Sequence, residues 1–170
     1  EMCIRDRHWT HIGGGSELEN LRNISHKLGL TGKITWKGAQ SQKGVFEAYE
    51  NSDLFIMPSI IATDGDRDGL PNVLMEAASK KVCCIATDLP GITEFIRHDD
   101  TGWIVPSKNS RELTRSIISL SQDPAKRVRL AESANKLLVR HFSHSENVQY
   151  IIELLKSDLD TNKDVIQDSI

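Results

Sequence analysis

The sequence has no basic excess. Its 21 Lys and Arg residues face 24 Asp and Glu residues, for a net charge of −3, so charge does not point to nucleic acid or an anionic membrane surface as a partner. Long apolar runs are also missing, whereas a membrane-crossing helix needs about 20 consecutive apolar residues. No charged-then-apolar leader opens the sequence. Cysteine is scarce: Cys3, Cys83 and Cys84. An odd number, with two adjacent in an apolar run, excludes a disulfide framework and reads as buried thiols in a reducing compartment. There are no internal repeats and no low-complexity segments. What remains is an ordinary soluble composition, 38% hydrophobic and 26% charged over 170 residues, enough for one sizeable core.

Short apolar strands alternate with helical patterns along this chain. His8 to Ile12 predicts a strand running into "GGGS". Ser16 is expected to cap a helix carrying Leu18, Leu21, Ile24 and Leu28, which Gly29 ends. Lys33 to Lys37 alternates as a strand and closes at Gly38. Val45, Phe46 and Tyr49 mark a short helix, and "DLFIMPS" is an apolar strand with a proline at its exit. A helix starts near Pro71 and turns Val73, Leu74, Ala77 and Ala78 inward. "VCCIAT" and "GWIVP" are further strands, separated by the turn and short helix of "DLPGITEFI". Asn109 with Glu112, Asp123-Pro124, and Ser143 with Glu146 then open three successive helices. The tail beyond about Lys156 is polar.

This alternation predicts an α/β fold, a doubly wound parallel sheet of Rossmann-like type with C-terminal helices. The expected domain is 8–156, flanked by a non-native or disordered 1–7 and a polar tail, 157–170. The opening "EMCIRDRHW" continues no element, and "MCIRDR" resembles adapter-derived sequence; the expectation is a piece of a longer protein. Ligands of such sheets bind beyond the carboxyl ends of the strands, so the glycine turn, the acidic loop "DGDRDGLPNVLME" and the "DLPGITE" turn are expected to converge on one crevice.

The chemistry of that crevice is read by elimination. Asp64, Asp66, Asp68 and Gly69 begin like a calcium loop, but the bidentate Glu it needs would fall on Met75. A strand also precedes the loop where an EF-hand has a helix. Gly13, Gly14 and Gly15 follow a strand and open a helix, yet a dinucleotide fingerprint would need a third glycine where Leu18 stands. The six histidines are scattered and Cys83 and Cys84 point to opposite faces of one strand, so no metal-ligand spacing emerges. No P-loop and no nucleophile elbow occurs. One further arrangement stands beside the plainer readings of a tight strand–helix turn for the glycines, a turn residue for Asp68 and a solvated helix residue for Glu76. The helix after Pro71 presents the first-turn N–H groups of Asn72 and Val73, where the macrodipole favours a diphosphate. Asp68 and Glu76 flank that point, and carboxylates accept hydrogen bonds from sugar hydroxyls.

Taken in order, "IGGGSELENL…GKITWKGAQSQKGVFEAYENSDLFIMPS…DGLPNVLMEAASKKVCCIATDLPGITEFI…TGWIVP" resembles the C-terminal half of retaining glycosyltransferases of family four, built from two facing Rossmann-like domains, of the bacterial exopolysaccharide and colanic-acid type. The resemblance covers about residues 8 to 156. It implies a hexosyltransferase that moves a sugar from a nucleotide diphosphate sugar to a glycan or lipid-linked acceptor, without a bound metal or other cofactor. By similarity Asp68 and Glu76 stand for the family's paired acids: Glu76 on the donor's ribose, Asp68 on the transferred sugar. Gly69 and Leu70 would approach the sugar and Asn72 and Val73 the diphosphate. Gly13, Gly14, Gly15 and Ser16 correspond to the glycine turn near the nucleotide, and Trp36, Lys37 and Gly38 would lie by the nucleobase. No role is assigned to Asp64, Asp66 or Arg67 beyond shaping the donor pocket.

Two departures from that pattern carry consequences. Aspartate at the first acidic position shortens the reach by one methylene. The family's diphosphate-neutralising Arg and Lys, and its acceptor-binding N-terminal domain, lie upstream of the glycine turn, and Arg5 and Arg7 are in the wrong place to replace them. The expectations are weak donor binding, no transfer by this chain alone, no nucleic-acid partner, and a cytoplasmic setting at the inner membrane face with peripheral association of the full-length protein. Competing readings are a free-standing nucleotide-sugar-binding module, or part of a nucleotide-sugar epimerase or phosphorylase.

Overall fold

The computed structural model describes residues 7–61 and 70–141. Eleven elements follow one another among them: β1 (Trp9–His11), α1 (Leu18–Lys27), β2 (Ile34–Trp36), α2 (Gln42–Glu50), β3 (Leu54–Met57), α3 (Asn72–Ser79), β4 (Cys83–Thr87), α4 (Ile92–Phe95), β5 (Trp103–Val105), α5 (Ser110–Gln122) and α6 (Pro124–His141). Every strand pairing is parallel. The fold is α/β and Rossmann-like, with helices as the crossovers that parallel strands require. The expected strands and helices are present, trimmed by a residue or two at their ends. The helix predicted after Ser143 and the polar tail lie outside the described residues, as do residues 1–6.

β1 pairs with β2, and β3, β4 and β5 are hydrogen-bonded in that order. The chain forms two compact units, one up to Asp53 and one from Leu54 onward. Hydropathy marks a strand but not its neighbour, so the pairing order was not visible in the pattern.

In the first unit Trp9, Thr10 and His11 stand opposite Ile34, Thr35 and Trp36. α1 does not start as predicted. Ser16 lies in the preceding turn, and the capping position falls to Glu17, whose side chain makes no cap bond. The Glu17 carbonyl takes the Leu21 N–H at 2.9 Å, beginning the helix one residue later. Of the apolar stripe read from the sequence, Leu18 is half-buried while Leu21, Ile24 and Leu28 are exposed, Leu28 at 67%. α2 is capped by Ser41, whose hydroxyl accepts from the Gly44 N–H.

The second unit holds the main core. β4 is buried along its whole length, as befits a central strand covered on both faces. Cys83 and Ile85 pack with Val105, Leu120, Leu130 and Ala131, bordered by Leu54, Ile56, Trp103, Leu113 and Ile117. Leu74, Ile92, Phe95 and Ile96 are also fully buried, each contributing about 1.5–3 kcal/mol through removal of apolar surface from water. The predicted cap of α5 is there: Asn109 Oδ1 accepts from the Glu112 N–H at 3.1 Å. Glu112 does not reach back to complete the box and instead pairs with Arg115. Asp123 caps α6 by accepting from the Lys126 N–H at 2.9 Å.

α6 is pinned to the turn before β5. Asp99, in a left-handed conformation, takes Arg129 and Lys126 as ion-pair partners. Lys126 also covers the Trp103 ring at 4.1 Å, and the Trp103 indole N–H donates to Ser116 on α5 at 2.9 Å.

Candidate functional site

Each unit carries part of the predicted site. In the first, the Gly13 N–H donates to the Gly38 carbonyl at 2.9 Å, and the Lys37 N–H donates to the His11 carbonyl at 2.9 Å. The glycine turn after β1 and the exit of β2 are thus tied side by side, bringing Gly13, Gly14, Gly15 and Ser16 together with Trp36, Lys37 and Gly38. Gly13 and Gly15 have φ of 121° and 140°, and Gly38 has φ of 64°. These are backbone conformations that glycine adopts without penalty. No atom lies within 4 Å of where a Cβ would stand on any of them, so conformation rather than space calls for glycine here. The half-buried Trp36 ring tilts against His11, centroids 5.1 Å apart, and the Arg22 guanidinium lies over it at 6.0 Å.

In the second unit the site is the start of α3. Pro71 occupies its N-cap position in an extended conformation and no side chain caps it. Proline has no N–H to orphan there. The first turn contains no acidic residue, so within the helix itself no carboxylate competes with an incoming anion for the positive end of the dipole. Asn72 is exposed, and Leu70, Val73 and Glu76 are half-buried. Among the described residues the Glu76 carboxylate makes no hydrogen bond and no ion pair. Its backbone carbonyl accepts from the Ser79 hydroxyl and the Lys80 N–H. Asp68 and Gly69, with the rest of the acidic loop, lie outside the described residues. The expected convergence on one crevice spans both units, each of which stands described on its own.

Further side chains, not singled out from the sequence, hold this unit's strand exits and α3. The Thr87 hydroxyl at the end of β4 donates to the Ser59 carbonyl at the exit of β3, 2.8 Å away. The next residue, Asp88, accepts from the Ser107 N–H beyond β5 at 2.7 Å. At the far end of α3 the Asn135 amide donates to the Ala78 carbonyl at 3.0 Å. The available signals were a threonine closing a buried strand and an asparagine within a helix. Among the described residues no group of three or more His, Cys, Asp or Glu could hold a metal ion, and no helix is long and apolar enough to cross a membrane. Cys83 and Cys84 are buried thiols. Burial pushes Cys83 up to about 11, against the opposing pull of Arg127 and Lys126, and pushes Cys84 up further.

The family model described as glycosyl transferases group 1 matches residues 5–137, which run through both units. The chain belongs to this family. Among its curated relatives is the amylovoran biosynthesis glycosyltransferase AmsK of Erwinia amylovora, 27% identical over 148 residues, covering 87% of this chain and 36% of AmsK. Among solved structures, HepE of Anabaena in complex with UDP superposes with a TM-score of 0.80 at 21% identity, over 91% of this chain and 42% of HepE. The C-terminal domain of a group 1 glycosyl transferase, LpcC of Francisella tularensis, gives a TM-score of 0.65 at 20% identity, over 80% of this chain and 71% of that domain. This group 1 chain therefore spans about two fifths of the length of such full-length relatives, and the structural likeness places its fold with theirs.

Proposed function

We propose that this chain is the donor-binding part of a retaining hexosyltransferase, acting on a nucleotide diphosphate sugar. The observation that carries the reading is the start of α3: an acid-free first turn behind Pro71, with the Glu76 carboxylate, which makes no hydrogen bond or ion pair among the described residues, just over one turn further on. A helix start of this kind offers N–H groups and about half an elementary positive charge to an anion. Its role is to hold the donor diphosphate at Asn72 and Val73 and to stabilise the charge that grows there as the sugar departs. Glu76 accepts the ribose hydroxyls and Asp68 the hydroxyls of the transferred sugar, with Gly69 and Leu70 lying along it. In the first unit, the tied turns of Gly13 to Ser16 and Trp36 to Gly38 are assigned to the nucleoside.

Family membership and the UDP complex of HepE support a nucleotide sugar as ligand, and the name of AmsK supports a polysaccharide or lipid-linked glycan as acceptor. The reading needs no metal ion. It places the acceptor site in sequence that this chain does not share with its longer relatives, and the working enzyme in the cytoplasm at the inner membrane face. A thermal-shift screen against UDP-, GDP- and ADP-sugars tests it, since a ligand bound to the native state raises the melting temperature by mass action. One nucleotide series should raise it in a dose-dependent way. A flat response to all three at millimolar concentration would remove the reading.

A further inference from the structure

We propose that Asn135 is a positioning residue for the donor site, holding the far end of α3 so that Asn72, Val73 and Glu76 stand in register. The inference rests on the donor-site reading above. It starts from the half-buried bond of the Asn135 amide to the Ala78 carbonyl, 57 residues away in sequence.

The last carbonyls of a helix have no partner within it. Two residues beyond α3, Lys81 adopts a left-handed φ of 54° and sends its N–H back to the Ala78 carbonyl. Asn135 supplies a second donor to that same carbonyl. Asparagine is a poor residue for a helix interior. It sits here inside the 18-residue α6, next to the buried Ala131 and Ala134, where an apolar residue would serve packing better.

α3 packs against α6, and the buried side chains of the two helices are apolar. Leu74, Ala77 and Ala78 are fully buried on α3, and Leu130, Ala131 and Ala134 are buried on α6. Packing of that kind resists separation but does little against rotation or sliding of one helix on another. A hydrogen bond is directional. α3 has eight residues and is about 12 Å long, a short rod, so a turn at its end is passed on to its start.

The test compares four forms of the chain: unsubstituted, Asn135→Ala, Asn135→Asp and Ser133→Ala. Ser133 lies on the same helix and bonds Asp100 at 3.0 Å, away from α3. Asn135→Asp keeps the size and replaces the donor with an acceptor, so it decides the matter if the alanine variant does not fold. Calorimetry measures affinity for UDP-glucose and for uridine, which lacks the diphosphate. Both Asn135 variants should bind UDP-glucose about threefold to tenfold more weakly with a smaller loss for uridine, which keeps only the ribose contact to Glu76, and Ser133→Ala should alter neither. Unchanged UDP-glucose affinity in the Asn135 variants, or a parallel loss for both ligands, would overturn the positioning role and leave the donor site standing. Failure of the unsubstituted chain to bind UDP-glucose while binding another nucleotide sugar moves the same comparison to that sugar. Failure to bind any of them removes the donor reading and this inference with it.

Discussion

Thr87 and Ser59 are joined across the exits of β4 and β3 by a hydrogen bond of 2.8 Å from hydroxyl to carbonyl. The register Met57 to Ala86, continued by one residue, sets Pro58 opposite Thr87. Proline has no N–H to extend the ladder. A side chain therefore takes over where the backbone stops, and holds the chain as it leaves the sheet toward the acidic loop. Thr87→Val keeps the shape and removes the donor. It should lower stability by about 1 kcal/mol in urea denaturation, and Thr87→Ser should recover most of the loss.

Gly102 has a different need for glycine from those of the β1 turn. A Cβ there would stand 2.8 Å from Ile96 Cγ2 and 2.9 Å from the Cys84 backbone carbonyl, whereas one on Gly14 would meet nothing within 4 Å. Gly102→Ala is expected to cost about 1–3 kcal/mol by overpacking the core. Gly14→Ala should leave the unfolding free energy within about 0.5 kcal/mol of its starting value.

Cys83 and Cys84 should be inert in the native protein, because only a thiolate reacts and burial holds both thiols protonated. In a Cys3→Ser background, a thiol reagent at pH 8 should label neither until denaturant is added. Rapid labelling of the folded protein would contradict the buried β4.

Asp99 ties the turn before β5 to α6. The hydrogen bond from Arg129, then that from Lys126, holds its carboxyl below the ordinary value of 3.8. Its native form is thus favoured as the anion. The stabilisation is complete above the unfolded-state value and is lost as the pH falls through the lower folded-state one. Asp99→Asn should melt below the unsubstituted protein at neutral pH, and the gap should close once the pH is taken below 3.8. A gap that persists in acid would mean the pairing contributes nothing.

Glu76→Gln should weaken binding of the responding nucleotide sugar by the equivalent of about 1.5–3 kcal/mol, the contribution of a charged hydrogen bond. Asp64→Asn should change it little. Equal effects in a calorimetric titration would leave no reason to distinguish Glu76.

The sequence by itself determined the succession of strands and helices, the caps at Asn109 and Asp123, the glycine turn between a strand and a helix, and the family. These are local matters, set by periodicity, by side chains bonding the backbone a few residues away, and by ordered short motifs. Residue spacing also singled out the start of α3 and Glu76, because both belong to one helix. Tertiary structure alone decided the order in which the strands pair, that the N-cap position of α1 falls to Glu17 rather than Ser16, and that Leu21, Ile24 and Leu28 stay exposed. It also decided which distant groups meet: Thr87 with Ser59 across 28 residues and Asn135 with Ala78 across 57. Propensity and periodicity act over a turn or a strand, while a hydrogen bond between elements depends on where the whole chain has brought its two ends.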